Sequence, residues 1–247
     1  MLSFDIKKVL KNKMKIIKKD DHSSICMVGP VQLPVQLEDN VTNFNWYTWL
    51  NIEGANVNID QVLNSLGSLD LANFQQSSVL VYGDFKNKQD ALVRFHSTCH
   101  TGDIFGSKRC DCGFQLRQSL KMIGEHGHGA LFYLANHEGR GIGLFAKSLA
   151  YILQQEGHDT VEANLALGLE DDIRSYEEAL IVLQQLRSKP VTLITNNPKK
   201  LLALKEKGLS AKNHCPLWGD VSDYNRRYLE TKVQKSGHIP ELKRMTV

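Results

Sequence analysis

Three cysteines crowd into one short stretch of this 247-residue chain: Cys99, Cys110 and Cys112, in the spacing C-x10-C-x-C. Two thiolates one residue apart can reach a single ion, and a third can arrive from a neighbouring loop. Thiolates are soft donors, so zinc is the natural tenant in a reducing compartment. Three protein ligands leave one tetrahedral position for water, which is the arrangement of a catalytic zinc. Spacing alone leaves two alternatives open: His96 or His100 could close a structural site as a fourth ligand, or the cysteines could be buried and unligated. Arg94 and Arg109 flank the cluster, where their charge would stabilise thiolates and attract an anionic ligand. Cys26 and Cys215 stand alone, so the chain does not read as a disulfide framework.

Other stretches could hold an anion or move a proton. Thr195 to Lys200 ends an expected strand and begins an expected helix. Free N–H groups, the helix dipole and Lys200 would together make an anion site, although a plain turn with exposed lysines has the same pattern. Arg94, Ser97 and Thr98 precede the first sulfur ligand and could hold phosphate oxygens beside it, with Gln115 on the same ligand. Glu138 to Gly143 follows a strand and opens a helix, and its glycines would let backbone approach a ligand closely. Arg140 in that turn suits a phosphate or sugar. Asp172 and Arg174 lie two apart in a turn-like segment before a helix. Such a pair is often only a surface ion pair, but the arginine can also clamp a phosphate. Its pKa above ~12 makes it a poor nucleophile.

The elements that must position these groups follow from periodicity. Val79 to Gly83, Ala91 to Phe95, Gly129 to Leu134 and Val191 to Ile194 read as strands. Gly113 to His126, Ile142 to Glu156, Tyr176 to Leu186 and the stretch from Pro198 to Lys205 read as helices, the second stopping at Gly157. Leu144, Phe145, Ser148, Leu149, Ile152 and Leu153 form the expected buried side of that second helix. Strands alternating with helices predict an α/β fold, a three-layer sandwich whose mixed sheet is covered by helices. The motifs then fall in loops at the carboxyl ends of strands, where such sheets bind ligands. Residues 1–78 read as a basic arm and small N-terminal lobe, and residues 79–247 as the catalytic domain. Residues 21–78 suggest irregular structure with short strands and a helix near Asp60 to Leu66. Seven lysines in the first 20 residues, with Ile6, Val9, Leu10, Met14 and Ile17 at helical spacing, could form a basic amphipathic helix or a solvated arm.

A hydrophobic fraction of 42% with 23% charged residues is ordinary for a globular protein. A net charge of +3 is too small to imply a nucleic-acid partner. No run approaches the roughly 18 apolar residues of a membrane span, and the first 20 residues contain no continuous apolar block. A cytoplasmic location is expected.

Six separate blocks resemble the GTP cyclohydrolase II family of riboflavin biosynthesis: Arg94 to Asp103, Arg109 to Gln115, Glu138 to Leu144, Asp159 to Asn164, Leu167 to Tyr176 and Thr195 to Lys200. Tyr228 to Lys232 and Gly237-His238 look like the family's tail. The resemblance implies zinc on Cys99, Cys110 and Cys112, activating water against C8 of the guanine of GTP, with release of formate and pyrophosphate. It further implies Asp172 as proton acceptor, Arg174 at the α-phosphorus and Tyr151 near the reacting base. Arg94, Ser97, Thr98, Gln115, Glu138, Gly139, Arg140, Thr160, Thr195 and Lys200 would bind the nucleotide. Glu138 suits the N1 and exocyclic amine donors of guanine. A triphosphate would bring Mg²⁺, and relatives are homodimers. Two positions depart from the family: Asn136-His137 stands where Arg-Gln is usual before Glu138, and Thr98 where a glutamate is usual. The segment from Val28 to Pro34 looks more like that of cyclohydrolase-like relatives of pyrimidine breakdown. A divergent hydrolase of another nucleotide, or a non-catalytic nucleotide-binding regulator, is the alternative.

Overall fold

The computed structural model describes residues 3–209 and 211–240. A short helix α1 (Phe4–Lys11), capped by the Ser3 hydroxyl, leads into strand β1 (Met14–Lys18). A long hairpin follows, β2 (Ser23–Leu37) and β3 (Asn40–Glu53), then helix α2 (Ile59–Ser65) and strands β4 (Ser78–Tyr82) and β5 (Leu92–Ser97). Next come helix α3 (Cys112–His126), strand β6 (Gly129–Leu134) and helices α4 (Gly143–Gln155), α5 (Thr160–Ala166) and α6 (Glu177–Leu186). Strand β7 (Val191–Ile194), helix α7 (Pro198–Glu206), strand β8 (Ala211–Cys215) and helix α8 (Arg226–Gln234) follow. Among the described residues no helix is long and apolar enough to cross a membrane.

One mixed sheet runs in the order β1-β2-β3-β4-β6-β5-β7-β8. Pairings from β1 through β4 to β6 are antiparallel, and those of β5 with β6 and β7, and of β7 with β8, are parallel. Side chains alternate across the strands. Val93, Phe95, Phe132 and Leu193 join a buried cluster with Leu180 and Leu183 of α6. Leu131 and Ile194 belong to the opposite face, with Ile123 of α3 and Phe44 of β3. Helices thus cover both faces, the α/β sandwich expected. Phe95 and Phe132 lie 5.0 Å apart and are almost fully buried; truncating either to alanine costs about 3–5 kcal/mol.

Three expectations need correction. The helical spacing of the first 20 residues is used only as far as Lys11; Met14–Lys18 is a strand, because Ile17 enters the core beside Ile25 and Met27. Residues 23–53 form a long two-stranded hairpin in place of short strands and irregular chain. Pro30 and Pro34 disguise it, since proline is tolerated only where no partner needs its amide. The β1 ladder on β2 ends at Val28, so both prolines lie on its free side. Finally, the apolar stripe of α4 does not face the core: Leu144, Phe145, Leu149 and Ile152 are exposed, Phe145 by 79%, while Lys147 and Ala150 are buried.

Candidate active site

Strands β5 and β6 run parallel in register from Leu92 beside Gly129 to Ser97 beside Leu134, so their carboxyl ends finish together. The Thr98 amide and hydroxyl both donate to the Leu134 carbonyl, at 3.1 and 2.8 Å. Cys99 comes next, on the wall of a cavity bounded by the loops after β5, β6 and β7. Cys112 is the first residue of α3, and Cys110 precedes it in the loop.

The three sulfurs lie within 4.8 Å of one another, with Cys99 and Cys110 Sγ 3.6 Å apart. Backbone packs tightly around them. A Cβ on Gly102 would stand 2.8 Å from Cys110 Sγ, and one on Gly113 would stand 2.1 Å from the Gly102 carbonyl oxygen. Hydrogen bonds from the Cys110 and Cys112 thiols hold Cys99 well below the ordinary thiol range, and the same contacts with Cys110 and Cys99 push Cys112 well above it. Cys99 is thus the sulfur that most readily gives up its proton, and a cation bound here would displace the others. A soft divalent ion fits this donor set. Among the described residues no imidazole or carboxylate joins the cluster. His96 is instead 3.0 Å from the Asp103 carboxylate and stacked on Tyr133, and His100 meets the edge of Phe105.

Every site residue read from the sequence except Asp172 lines this one cavity. Arg94 and Gln115 are buried and bonded to each other: the guanidinium donates to Gln115 Oε1 at 2.5 Å and to the Ile194 carbonyl at 2.9 Å, and Gln115 Nε2 donates to Asp111. Ser97 Oγ lies 3.3 Å from Arg174 NH1. Asn197 caps α7 by accepting from the Lys199 amide at 2.9 Å, while the Thr195 hydroxyl accepts from the Asn197 amide. Lys200 is buried and donates to the Phe95 carbonyl at 2.6 Å; burial and then Arg94 push its pKa well down. Tyr151 Oη lies 3.4 Å from Thr101 Oγ1, with the Arg109 guanidinium 4.3 Å from its ring centre. Thr160 opens α5, whose Asp159–Glu162 capping box holds it. Arg140 sits at φ 66° and pairs with Asp171, and a Cβ on Gly141 would lie 2.6 Å from Ile173 Cγ1. This packs the Glu138–Gly143 turn against the segment carrying Asp172 and Arg174. Those two form a bidentate pair, Nε and NH2 donating to the two carboxylate oxygens at 2.8 Å each. Asp172 faces a neighbouring cavity with Lys199, 3.2 Å away. Burial would raise its pKa, but Arg174 and Lys199 hold it well below the carboxylate range.

Comparison with known sequences decides the family. The pattern described as GTP cyclohydrolase II matches residues 64–216. The chain belongs to the GTP cyclohydrolase II family. It is 49% identical over 164 residues to a monofunctional riboflavin biosynthesis protein, RIBA 3, of Arabidopsis thaliana, covering 66% of this chain and 32% of that protein. It is also 49% identical over 160 residues to the riboflavin biosynthesis protein RibBA of Bacillus velezensis, covering 64% and 40%. With RibBA of Phocaeicola vulgatus it shares 46% identity over 178 residues, 70% and 44% of the two chains. In each case the match spans less than half of the relative's length.

In this cyclohydrolase II family member, residues outside the site set expected from the sequence also line the cavity. Lys147 is buried, with Nζ 2.6 Å from Glu138 Oε1 and 3.2 Å from Cys99 Sγ. The sequence offers no signal for it, because the apolar stripe of α4 marks the opposite face as the buried one. Trp218, Tyr228, Lys232 and His238 bring the C-terminal segment onto the cavity. Lys232 donates to Asp111, between two of the cysteines, at 2.8 Å. His137, one of the family departures, is buried: Nε2–H donates to the Ser175 carbonyl at 2.8 Å, and Nδ1 accepts from Ser97 Oγ at 3.2 Å. Burial pushes its pKa down to about 4, so it is neutral at physiological pH.

Proposed function

We propose that this chain hydrolytically opens the imidazole ring of the guanine of GTP, releasing formate and pyrophosphate and leaving a diamino-ribosylamino-pyrimidinone phosphate. The observation that carries the reading is the largely buried three-sulfur cluster, which among the described residues has no fourth imidazole or carboxylate ligand, on the wall of the cavity that also holds Lys200 and Arg174. Zinc on Cys99, Cys110 and Cys112 would supply Lewis acidity and a hydrolytic nucleophile near neutral pH. Mg²⁺ would come with the triphosphate and keep most of its waters. Residues 79–247 carry this chemistry, and residues 1–78 add the antiparallel flank of the sheet.

The chain's own groups have definable tasks. The N-terminus of α7, with Thr195 and Lys200, receives phosphate oxygens. Arg174 reaches the α-phosphate by exchanging Asp172 for it, a bidentate partner of similar geometry. That exchange frees Asp172. While paired it is far too weak a base for neutral pH; released, it becomes a competent acceptor. This gives Arg174 and Asp172 coupled roles without attack by a guanidinium: Arg174 clamps the α-phosphate, and Asp172 accepts the proton of a water that adds to the α-phosphorus as pyrophosphate leaves. Glu138 is held by three donors, Lys147 Nζ, the His100 amide and the Gly139 amide. A carboxylate offers about four acceptor sites, so in this arrangement one guanine donor completes the set. Arg140 and Thr160 line the sugar-phosphate side, and Tyr151 stands beside the sulfur cluster for the reacting base. The exposed stripe of Leu144, Phe145, Leu149 and Ile152 fits a face covered by a second copy, and a homodimer is the assembly proposed.

The test is incubation of zinc-loaded protein with GTP and Mg²⁺. Formate and pyrophosphate together, both lost with bound zinc in Cys110→Ser, support the reading. Clean GTP binding without either product would instead identify a nucleotide-binding regulator. Pyrophosphate without formate would show that ring opening is absent, and turnover of other nucleotides but not GTP would select the divergent hydrolase.

A further inference from the structure

A second group of ligand atoms lies at the far end of α3. This helix begins at Cys112, in the sulfur cluster, and ends at His126. Gly127 follows at φ 88°, a left-handed conformation that side chains resist. The reversal brings His128 back beside His126, with ring centres 4.5 Å apart. Asp90, in the loop before β5, meets both. Its carboxylate is 3.2 Å from His128 Nε2 and 3.4 Å from His126 Nε2. One nitrogen from each ring and one carboxylate oxygen all lie within 4.8 Å of one another.

We propose that Asp90, His126 and His128 form a second divalent-cation site, suited to a borderline first-row ion such as zinc or nickel. Two imidazoles and a carboxylate are a donor set for such ions, with water completing the coordination. His126 Nε2 is buried yet has no hydrogen-bond partner, despite the carboxylate nearby. Its alignment leaves it unused by the protein, and a cation between the three groups would use it. The site also stands at the C-terminus of a 15-residue helix, whose dipole favours positive charge. At present the His128 ring N–H donates to Asp90; the ion takes the place of that proton. Asp90 is 55% exposed, so ions and water reach the site directly. At about 1.5 Å per residue, α3 separates it from Cys112 by roughly 22 Å. Bound metal would tie the loop before β5 to the α3–β6 turn, independently of any nucleotide chemistry.

The experiment is equilibrium dialysis of the full chain against Zn²⁺ with metal quantified per chain, on the unaltered protein, His128→Gln, Asp90→Asn and Cys110→Ser. The unaltered protein is expected to hold a second equivalent that disappears in His128→Gln and in Asp90→Asn but persists in Cys110→Ser. With Co²⁺, the thiolate charge-transfer absorption should saturate with one equivalent, and the other should add only weak ligand-field bands. A single equivalent in the unaltered protein, lost in Cys110→Ser, would overturn the proposal. So would a second equivalent that survives both His128→Gln and Asp90→Asn.

Discussion

Replacing Lys147 by methionine tests whether the sulfur cluster and Glu138 depend on one buried cation. The ammonium touches Glu138 at 2.6 Å and Cys99 Sγ at 3.2 Å, with the two charged side chains 10% and 6% exposed. Burial works against its charge, but Cys99, Tyr151 and Glu138 together hold its pKa above the ordinary lysine value, so it is charged at neutral pH. Removing one partner of a buried pair leaves the other uncompensated, at about 3–5 kcal/mol. Glu138 would retain the His100 and Gly139 amides, which puts Lys147→Met near the low end, about 3 kcal/mol. For a domain of this size that is a melting point lowered by roughly 6–12 °C. The double variant Glu138→Gln/Lys147→Met removes both charges, and its loss should fall short of the summed single losses by at least about 1 kcal/mol. Urea unfolding and thermal melts at saturating zinc measure the cycle, and chelator competition measures the metal. A Lys147→Met protein within about 0.5 kcal/mol of the parent, or an additive cycle, would refute the reasoning.

Burial lowers the folded-state pKa of His137 to about 4 from 6.5, so the unfolded chain binds its proton first as the pH falls. Stability should decline across that window, by up to about 3 kcal/mol from this group, and urea unfolding of His137→Gln should give a flatter slope there; an unchanged slope would count against it. Asp172 keeps its charge throughout the neutral range, and its stabilising contribution is present above its unfolded value of 3.8 and lost as pH falls through its lower folded value. Asp172→Asn should therefore lower kcat without removing any limb of the kcat/KM profile between roughly pH 5 and 7; a limb in that range that vanishes in the variant contradicts the pairing. Phe145→Glu on the exposed stripe of α4 should convert a dimer to a monomer in sedimentation velocity, and a parent protein already monomeric would dismiss the dimer.

What could be read in advance depended on how local the cause was. Cys110 and Cys112 sit one residue apart and have chemistry that few other roles explain, so the cluster was visible before any fold. The same holds for the strand-to-helix turn at Thr195 to Lys200, where α7 begins at Pro198 as expected. The β2–β3 hairpin was hidden because the tolerance for Pro30 and Pro34 depends on where the neighbouring strand stops. On α4, an apolar stripe pointed away from the chain's own core has the same sequence signature as one pointed inward. Lys147 looked like a solvated lysine until the fold placed Cys99 and Glu138 against it. Asp90 reaches His128 across 38 residues, a contact no periodicity encodes.

Under the proposed function, the pairing of the cavity's cations makes two carboxylates matter to phosphate recognition. Arg174 is held by Asp172, Arg140 by Asp171, Lys147 by Glu138 and Lys232 by Asp111. A polyanion entering such a site gains little from charges already neutralised unless it displaces their partners. Asp111 and Glu138 are locked by further hydrogen bonds and cannot readily yield. Asp171 and Asp172 belong to a loop between α5 and α6, and Asp172 also has Lys199 to receive it. Lys200 differs from all four: among the described residues it has no carboxylate partner, only the Phe95 carbonyl. Under the proposed function, phosphate would meet Lys200 without displacing a carboxylate, though it must replace the Phe95 carbonyl, and would compete with carboxylates for Arg140 and Arg174. In the same proposal, the exchange at Arg174 would release Asp172 only after the phosphates have been engaged, which would tie base strength to a correctly seated substrate.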